Sequence, residues 1–237
     1  MSGLPSRASV PAGARLVLAT RNRGKVREFR ALLGTGMAAP GPERDAVGAL
    51  DMDAAVVDAE SAGCSEIPET GVTFEENSLI KAREVVRQTG LPAVADDSGL
   101  AVEVLGGAPG IFSARWAGSQ ASDEANRELL LQQLADVGPE HRAAAFVCAA
   151  SLVLPTHDGD PSAELTIVGR LEGRLLSAPR GEGGFGYDPI LQPEGDLRSV
   201  AELSMEEKNA ISHRGKAFAA LKEHVVTVLT GGEPLGR

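Results

Sequence analysis

Pro92-Ala93-Val94-Ala95-Asp96-Asp97-Ser98-Gly99-Leu100 is the stretch on which the reading of this chain turns. A run of small apolar residues reads as a short buried strand, and two carboxylates follow at once. Open α/β sheets present their chemistry at such strand ends. The chain already carries a formal charge of −10, so two further anions side by side are unfavourable unless a cation or a proton offsets them. In isolation an Asp-Asp pair is more often a solvated turn. Its place after an apolar strand and before Ser98-Gly99 points instead to a site.

Immediately upstream, Thr73 and Glu76 have the spacing of a capping box, and a helix is predicted to Gln88, stopped by Gly90 and Pro92. Leu79, Ala82 and Val86 form its apolar stripe, while Asn77, Lys81 and Glu84 share another face, so Lys81 can point into a cleft. Glu69 is the nearest upstream candidate for a second acidic metal ligand. Carboxylates are the hard oxygen donors that Mg²⁺ prefers, usually one or two of them with substrate phosphate completing the shell.

Further toward the N-terminus, residues 15–19 read as a buried strand, and Val26, Phe29, Leu32 and Leu33 recur at helical spacing. The turn between them is Thr20-Arg21-Asn22-Arg23-Gly24-Lys25, with Asn22 as the expected N-cap. Basic residues are on the wrong end of a helix dipole there, and an anionic ligand reverses that sign. First-turn N–H groups, a permissive Gly24 and the Lys25 ammonium make a phosphate cradle; the string of a Walker A loop is absent. Residues 36–68 form a variable connection with a strand or short helix around 47–57.

Downstream, Ala101–Leu105 is expected as strand and Gly106-Gly107-Ala108-Pro109-Gly110 as a rigid turn. Residues 122–135 read as an amphipathic helix, and residues 143–154 as a long strand pairing through a hairpin-like loop with residues 163–168. Gly181, Gly183 and Gly186 match G-x-G-x-x-G, but no helix can open there because Asp188-Pro189 follows directly. The loop is either a plain flexible connection or one whose glycines let Phe185 lie flat against a base. Ser204 and Glu207 are spaced as a capping box. Ser212 caps a last helix that puts His213 and Arg214 in a second basic first turn.

Composition sets the outer limits. The length allows one domain of two lobes or two small domains. The acidic balance argues against a broad nucleic-acid footprint but leaves room for a nucleotide, which needs only a local cluster of donors. Cys64 and Cys148 make neither a disulfide framework nor a thiolate metal site, and a cytoplasmic setting fits best. The start of the chain lacks a continuous apolar core of the kind a secretory signal carries. No apolar run is long enough for a membrane-spanning helix. Two basic helix starts, Lys81, a carboxylate pair and a Gly-aromatic loop together describe a nucleoside phosphate held with Mg²⁺.

Thr20 to Lys25, Glu69-Thr70-Gly71 with Thr73 to Asn77, Ala95 to Leu100, Gly106 to Gly110, Gly184 to Pro189 and Ser212 to Gly215 resemble, in that order, the signature segments of the Ham1/RdgB-type inosine triphosphate pyrophosphatases. The resemblance covers roughly residues 15–229. It implies an α/β fold with a long mixed central sheet, flanking helices and two lobes around an active-site cleft. Residues 15–230 would then be a single domain between a flexible extension at 1–14 and a flexible tail at 231–237. It also implies a homodimeric, Mg²⁺-dependent hydrolase of dITP, ITP and XTP that binds neither nucleic acid nor membrane. By position, Thr20, Arg21, Asn22, Arg23, Gly24 and Lys25 would hold the phosphates. Lys81 and Asp97 would be catalytic, Asp97 and Glu69 would hold the metal, and Ser98 would touch substrate. Phe185, Gly186, Tyr187, Asp188, Lys208, His213 and Arg214 would form the nucleobase pocket. Ser78 and Arg21 depart from the family pattern, and the 36–68 connection is longer than usual. A Maf-type nucleotide pyrophosphatase and a non-catalytic nucleotide-binding protein are the alternatives.

Overall fold

A computed structural model describes residues 8–34 and 49–232. Residues 36–48 of the expected variable connection, the first half of the N-terminal extension and most of the C-terminal tail lie outside the described residues. Of that extension, residues 8–14 are described, and Ala8 N–H donates to the Gln88 carbonyl at 2.9 Å.

The core is a six-stranded mixed sheet ordered β2-β1-β3-β4-β5-β6. Its strands are β1 (Leu16–Leu18), β2 (Val56–Asp58), β3 (Ala93–Val102), β4 (Ala143–Pro155), β5 (Pro161–Leu175) and β6 (Leu191–Pro193). β1 runs parallel to both β2 and β3, and every later pairing is antiparallel. The α/β fold with a long mixed sheet and flanking helices is therefore the observed one.

β3 does not end at the carboxylates. It pairs with β4 from Ala93↔Val153 to Val102↔Ala144, so Asp96 and Asp97 lie inside a ten-residue strand. The strand that ends is β1, whose pairing with β3 stops at Leu18↔Val94. From Ala95 to Gly99 that edge of β3 is covered by no strand, until Leu100 meets Ser113 and Ala101 bridges Pro109, and the opening the sequence suggested is the end of a neighbour. Beyond Val102 the expected strand gives way to a 3-10 turn over Glu103–Leu105. Around residues 47–57 the described part is a short helix α2 (Met52–Ala55) leading into β2.

Successive residues of a strand face opposite sides, and β3 follows that rule. Val94 belongs to a cluster with Leu18, Phe29, Cys148, Phe218 and Leu221 under helices α1 (Arg23–Gly34) and α6 (His213–Leu229). Ala93 and Ala95 belong to another cluster, with Ala82, Val85 and Val86 of helix α3 (Phe74–Thr89). The Phe29 and Phe218 rings meet at 5.0 Å and lock α1 to α6, a contact worth about 1 kcal/mol beyond its buried area. On α3 the buried stripe is wider than the predicted one: it includes Phe74, Val85 and Asn77, with Leu79 only partly covered. Thr73 caps α3 through Glu76 N–H, and Gly90 ends it in the left-handed region at φ 71°. The expected box closes on one side only, because the Glu76 carboxylate takes Val72 N–H instead.

A third cluster around Leu100, Leu130, Phe146, Tyr187 and Leu191 fills the other end of the sheet beneath helix α4 (Asp123–Gln133).

Candidate active site

The alternation of β3 splits the two carboxylates. Asp96 faces the α1 and α6 layer, where Lys25 Nζ donates to both its oxygens at 3.0 and 2.9 Å and Arg214 Nε donates to Oδ2 at 3.1 Å. Asp97 faces α3, where Asn77 Nδ2 donates to Oδ2 at 3.1 Å and Lys81 Nζ lies 3.5 Å from Oδ1. The offset that two adjacent anions require is met separately for each, by its own cations on opposite faces of β3.

The electrostatics differ accordingly. Burial alone would raise the Asp96 pKa, but the Lys25 and Arg214 charges hold it well below the usual carboxylate range. Asp97 goes the other way. Burial raises its pKa, and the Glu69 charge adds to that against the opposing pull of Lys81 and Asn77. Lys81 is partly desolvated, which favours loss of its proton. Asp97 and Glu69 outweigh that and raise its pKa. Glu69 Oε1 accepts from Lys81 Nζ at 2.8 Å, so one ammonium serves two carboxylates and the trio keeps an excess negative charge.

The phosphate turn carries a different cap from a bare cradle. Asn22 Oδ1 accepts Gly24 N–H at 2.8 Å and Lys25 N–H at 3.4 Å, and Thr20 Oγ1 accepts Asn22 N–H at 3.1 Å. Those first-turn amides are already partnered, which leaves the Lys25 ammonium as the chief anion-binding group of the turn. Arg21 is directed elsewhere, its Nη2 reaching the Cys64 carbonyl at 3.5 Å. Arg23 opens α1. Ser98 Oγ donates to Asp96 Oδ2 at 3.2 Å and accepts from Arg214 Nη2 at 3.3 Å, which sets it beside the carboxylate on its own face.

The glycine loop is divided by burial. Phe185 is 66% exposed, and Lys208 Nζ lies 4.6 Å from its ring centroid. Tyr187 and Asp188 are 5% and 3% exposed and face inward. Tyr187 donates its hydroxyl to the Ser113 carbonyl at 2.8 Å. Asp188 Oδ2 accepts both Phe185 N–H at 2.8 Å and Lys208 Nζ at 2.6 Å. Asp188 thus ties Phe185 to Lys208, and Tyr187 ties the loop to the turn that carries Ser113. The reason is that a buried hydroxyl or carboxylate must find internal partners. Ser212 caps α6 through Gly215 N–H. His213 stacks on Phe146 at 5.2 Å, and its Nδ1 is buried without a partner. Burial and then the Arg214 charge push its pKa down to about 3, so it is neutral near pH 7. Arg214 points at β3.

Four site residues were given no role from sequence. Asp96 and Asn77 lay in plain view, the first beside Asp97 and the second one turn before Lys81 on the same helix face. Asp123 and Arg127 of α4, which hold Gly186, carried no local signal.

The residues fit a divalent cation in one respect. Glu69 and Asp97 converge on a single point, now met by Lys81 Nζ. They supply hard oxygen donors with negative charge to spare, the kind of set that Mg²⁺ shares with phosphate oxygens. Among the described residues no cluster of three or more His, Cys, Asp or Glu could hold a metal by itself, so substrate oxygens would have to complete the shell.

Comparison with known proteins gives the family. The model of the Ham1 family matches residues 16–224. A dITP/XTP pyrophosphatase of Streptomyces coelicolor is 58% identical over 207 residues, covering 87% of this chain and 94% of that protein. One of Frankia alni is 51% identical over 221 residues, covering 91% and 99%. Among solved structures, a HAM1 protein from Coxiella burnetii superposes with a TM-score of 0.74 at 38% identity, covering 92% of this chain and all of that one. A dITP/XTP pyrophosphatase from Mycobacterium abscessus superposes with a TM-score of 0.69 at 45% identity, covering 87% and 98%. With the matched model spanning nearly the whole described sheet and its helices, the chain belongs to the Ham1 family.

Proposed function

We propose that this protein is a Mg²⁺-dependent hydrolase that converts dITP, ITP and XTP to the monophosphate and pyrophosphate, and so removes deaminated purines from the nucleotide pool. The observation that carries the reading is the pair Asp96 and Asp97 on opposite faces of an uncovered strand edge, each with lysine already in place. Such a site can take an anion on one face and activate a nucleophile on the other.

Lys25 stands ready to exchange Asp96 for phosphate oxygens, and Lys81 can follow charge as it spreads over the transferring group. Asp97 is the general base, oriented by Asn77 and Lys81 on the α3 face of the strand. It orients and deprotonates the water that attacks the α-phosphorus, with pyrophosphate leaving. Glu69 and Asp97 would hold Mg²⁺, which when bound supplies charge neutralisation on the phosphate oxygens. Phe185 offers its exposed face to the base, and Lys208 sits over the same ring. Arg214 and His213 favour a 6-oxo purine: donors there meet an acceptor in inosine or xanthine but another donor in adenine, a polar mismatch that discriminates strongly.

We place the enzyme in the cytoplasm as a homodimer that does not bind nucleic acid. No described helix is long and apolar enough to cross a membrane. Incubation of the pure protein and Mg²⁺ with ITP, dITP, XTP, GTP and dTTP, followed by product separation, tests the reaction. Monophosphate and pyrophosphate should appear from the first three only. Diphosphate with orthophosphate would overturn the bond assignment, turnover of dTTP alone would favour a Maf-type enzyme, and binding without products would make the chain a nucleotide-binding protein.

A further inference from the structure

Phe185 is an exposed ring on a glycine loop, and its direction depends on the peptide that follows it. Gly186 sits in the left-handed region at φ 58°, where side-chain sterics no longer restrict the backbone. Something else must therefore hold that peptide. Two residues one turn apart on α4 hold Gly186 through the peptides on either side of it: Gly186 N–H donates to Asp123 Oδ2 at 2.7 Å, and Arg127 Nη1 donates to the Gly186 carbonyl at 2.7 Å. Arg127 is half-buried and its Nε finds no hydrogen-bond partner among the described residues, so the Gly186 carbonyl is the partner this guanidinium shows. α4 is itself fixed to the turn beside β3, because Asn126 accepts Ala117 N–H at 2.7 Å and donates to the Ala114 carbonyl at 3.3 Å.

We propose that Asp123 and Arg127 form a positioning pair that fixes Gly186 between its two flanking peptides, and with it the Phe185 ring that meets the purine, so that Arg127 determines base specificity without touching the phosphates. This role rests on Phe185 being the base platform proposed above. A swinging Phe185 would still stack, but it would no longer hold the base in register with donors that tell one purine from another. Loss of the clamp should weaken base recognition and leave phosphate recognition as it was.

Arg127→Leu, Arg127→Lys and Phe185→Ala can be compared with the parent enzyme on dITP and dGTP, with inorganic tripolyphosphate as a base-free competitor. For Arg127→Leu, loss of one charged hydrogen bond should raise KM for dITP about tenfold, with kcat within about twofold. The ratio of kcat/KM between dITP and dGTP should narrow, and the tripolyphosphate inhibition constant should stay put. Arg127→Lys, which keeps a donor, should recover much of the parent behaviour. The pair is refuted if Arg127→Leu leaves KM and the ratio unchanged, or if it weakens tripolyphosphate by the same factor as dITP. Should Arg127→Leu fail to fold, Asp123→Ala at an exposed position tests the same clamp from its other end, with the same KM shift expected and an unchanged KM counting against it. Phe185→Ala separates the two claims. If it leaves KM unchanged the platform reading falls and the pair with it, whereas a raised KM there with a silent Arg127→Leu removes the pair alone.

Discussion

Asp96 and Asp97 are the same side chain one residue apart, and the strand pleat alone gives them opposite surroundings. Asp97 is raised by burial and shares Lys81 with Glu69. Asp97→Asn should therefore lower pyrophosphate release about 10²- to 10⁴-fold, the contribution of a general base, with the thermal midpoint kept or raised because a desolvated charge is removed. An active Asp97→Asn enzyme would take it out of that role. Asp96 is the structural counterpart, 4% exposed and paired to two cations. Asp96→Asn leaves Lys25 and Arg214 facing each other without an anion, and should cost about 3 kcal/mol of stability in urea unfolding. A non-hydrolysable purine triphosphate should restore part of that loss, since its phosphates offer Lys25 a new partner and its 6-oxo group offers Arg214 one; no recovery would separate Lys25 from phosphate binding.

At the scale of elements, the site depends on how closely α6 lies on β5. Gly169 faces the start of α6, and a Cβ there would collide with the His213 carbonyl oxygen and come within 2.7 Å of the Ala217 amide nitrogen. Gly169→Ala should thus shift the first turn that carries Arg214, costing about 1–3 kcal/mol and reducing turnover together, read by thermal melting and steady-state assay. A normal melt with normal activity would show that α6 can move without consequence. A second frame joins the catalytic strand to the base loop: Leu100 N–H donates to Ser113 Oγ at 2.8 Å, and the Ser113 carbonyl accepts the Tyr187 hydroxyl at 2.8 Å. The starts of these elements were legible in the sequence. Thr73, Ser204 and Ser212 each accept the N–H three residues on, and Asn22 accepts those of Gly24 and Lys25. Such caps depend on nothing beyond their own turn. The extent of β3 was not legible, because a partner 50 residues away on β4 carries it past the carboxylates.

For the whole molecule, His213 ties stability to pH. It packs on Phe146 and is held below its ordinary value by burial, then by the Arg214, Lys208 and Lys25 charges, with Asp96 opposing. Between an unfolded value of about 6.5 and the folded value of about 3, the unfolded chain binds a proton that the native state refuses. Stability should therefore be full above pH 6.5 and fall as pH drops below it, by up to about 1.4 kcal/mol per pH unit from this one group. Thermal melts of the parent and of His213→Gln from pH 7.5 to 5 check this: the variant should show the shallower slope, and parallel slopes would rule the histidine out.

What the amino-acid order determined by itself was local. It set where helices begin, which faces are apolar, that two turns open helices with basic residues, and which short segments carry the family's pattern. Side-chain hydrogen bonds within a turn and the period of hydrophobic residues act over a few positions, so they can be read without the fold. Tertiary structure decided the rest. That β1 stops at Leu18 and uncovers β3, that Asp96 and Asp97 serve opposite layers, that Tyr187 and Asp188 turn inward while Phe185 turns out, and that Arg127 reaches Gly186 all depend on contacts between distant segments. Burial and partner charge at those contacts, which no local spacing encodes, assign each of these side chains its part.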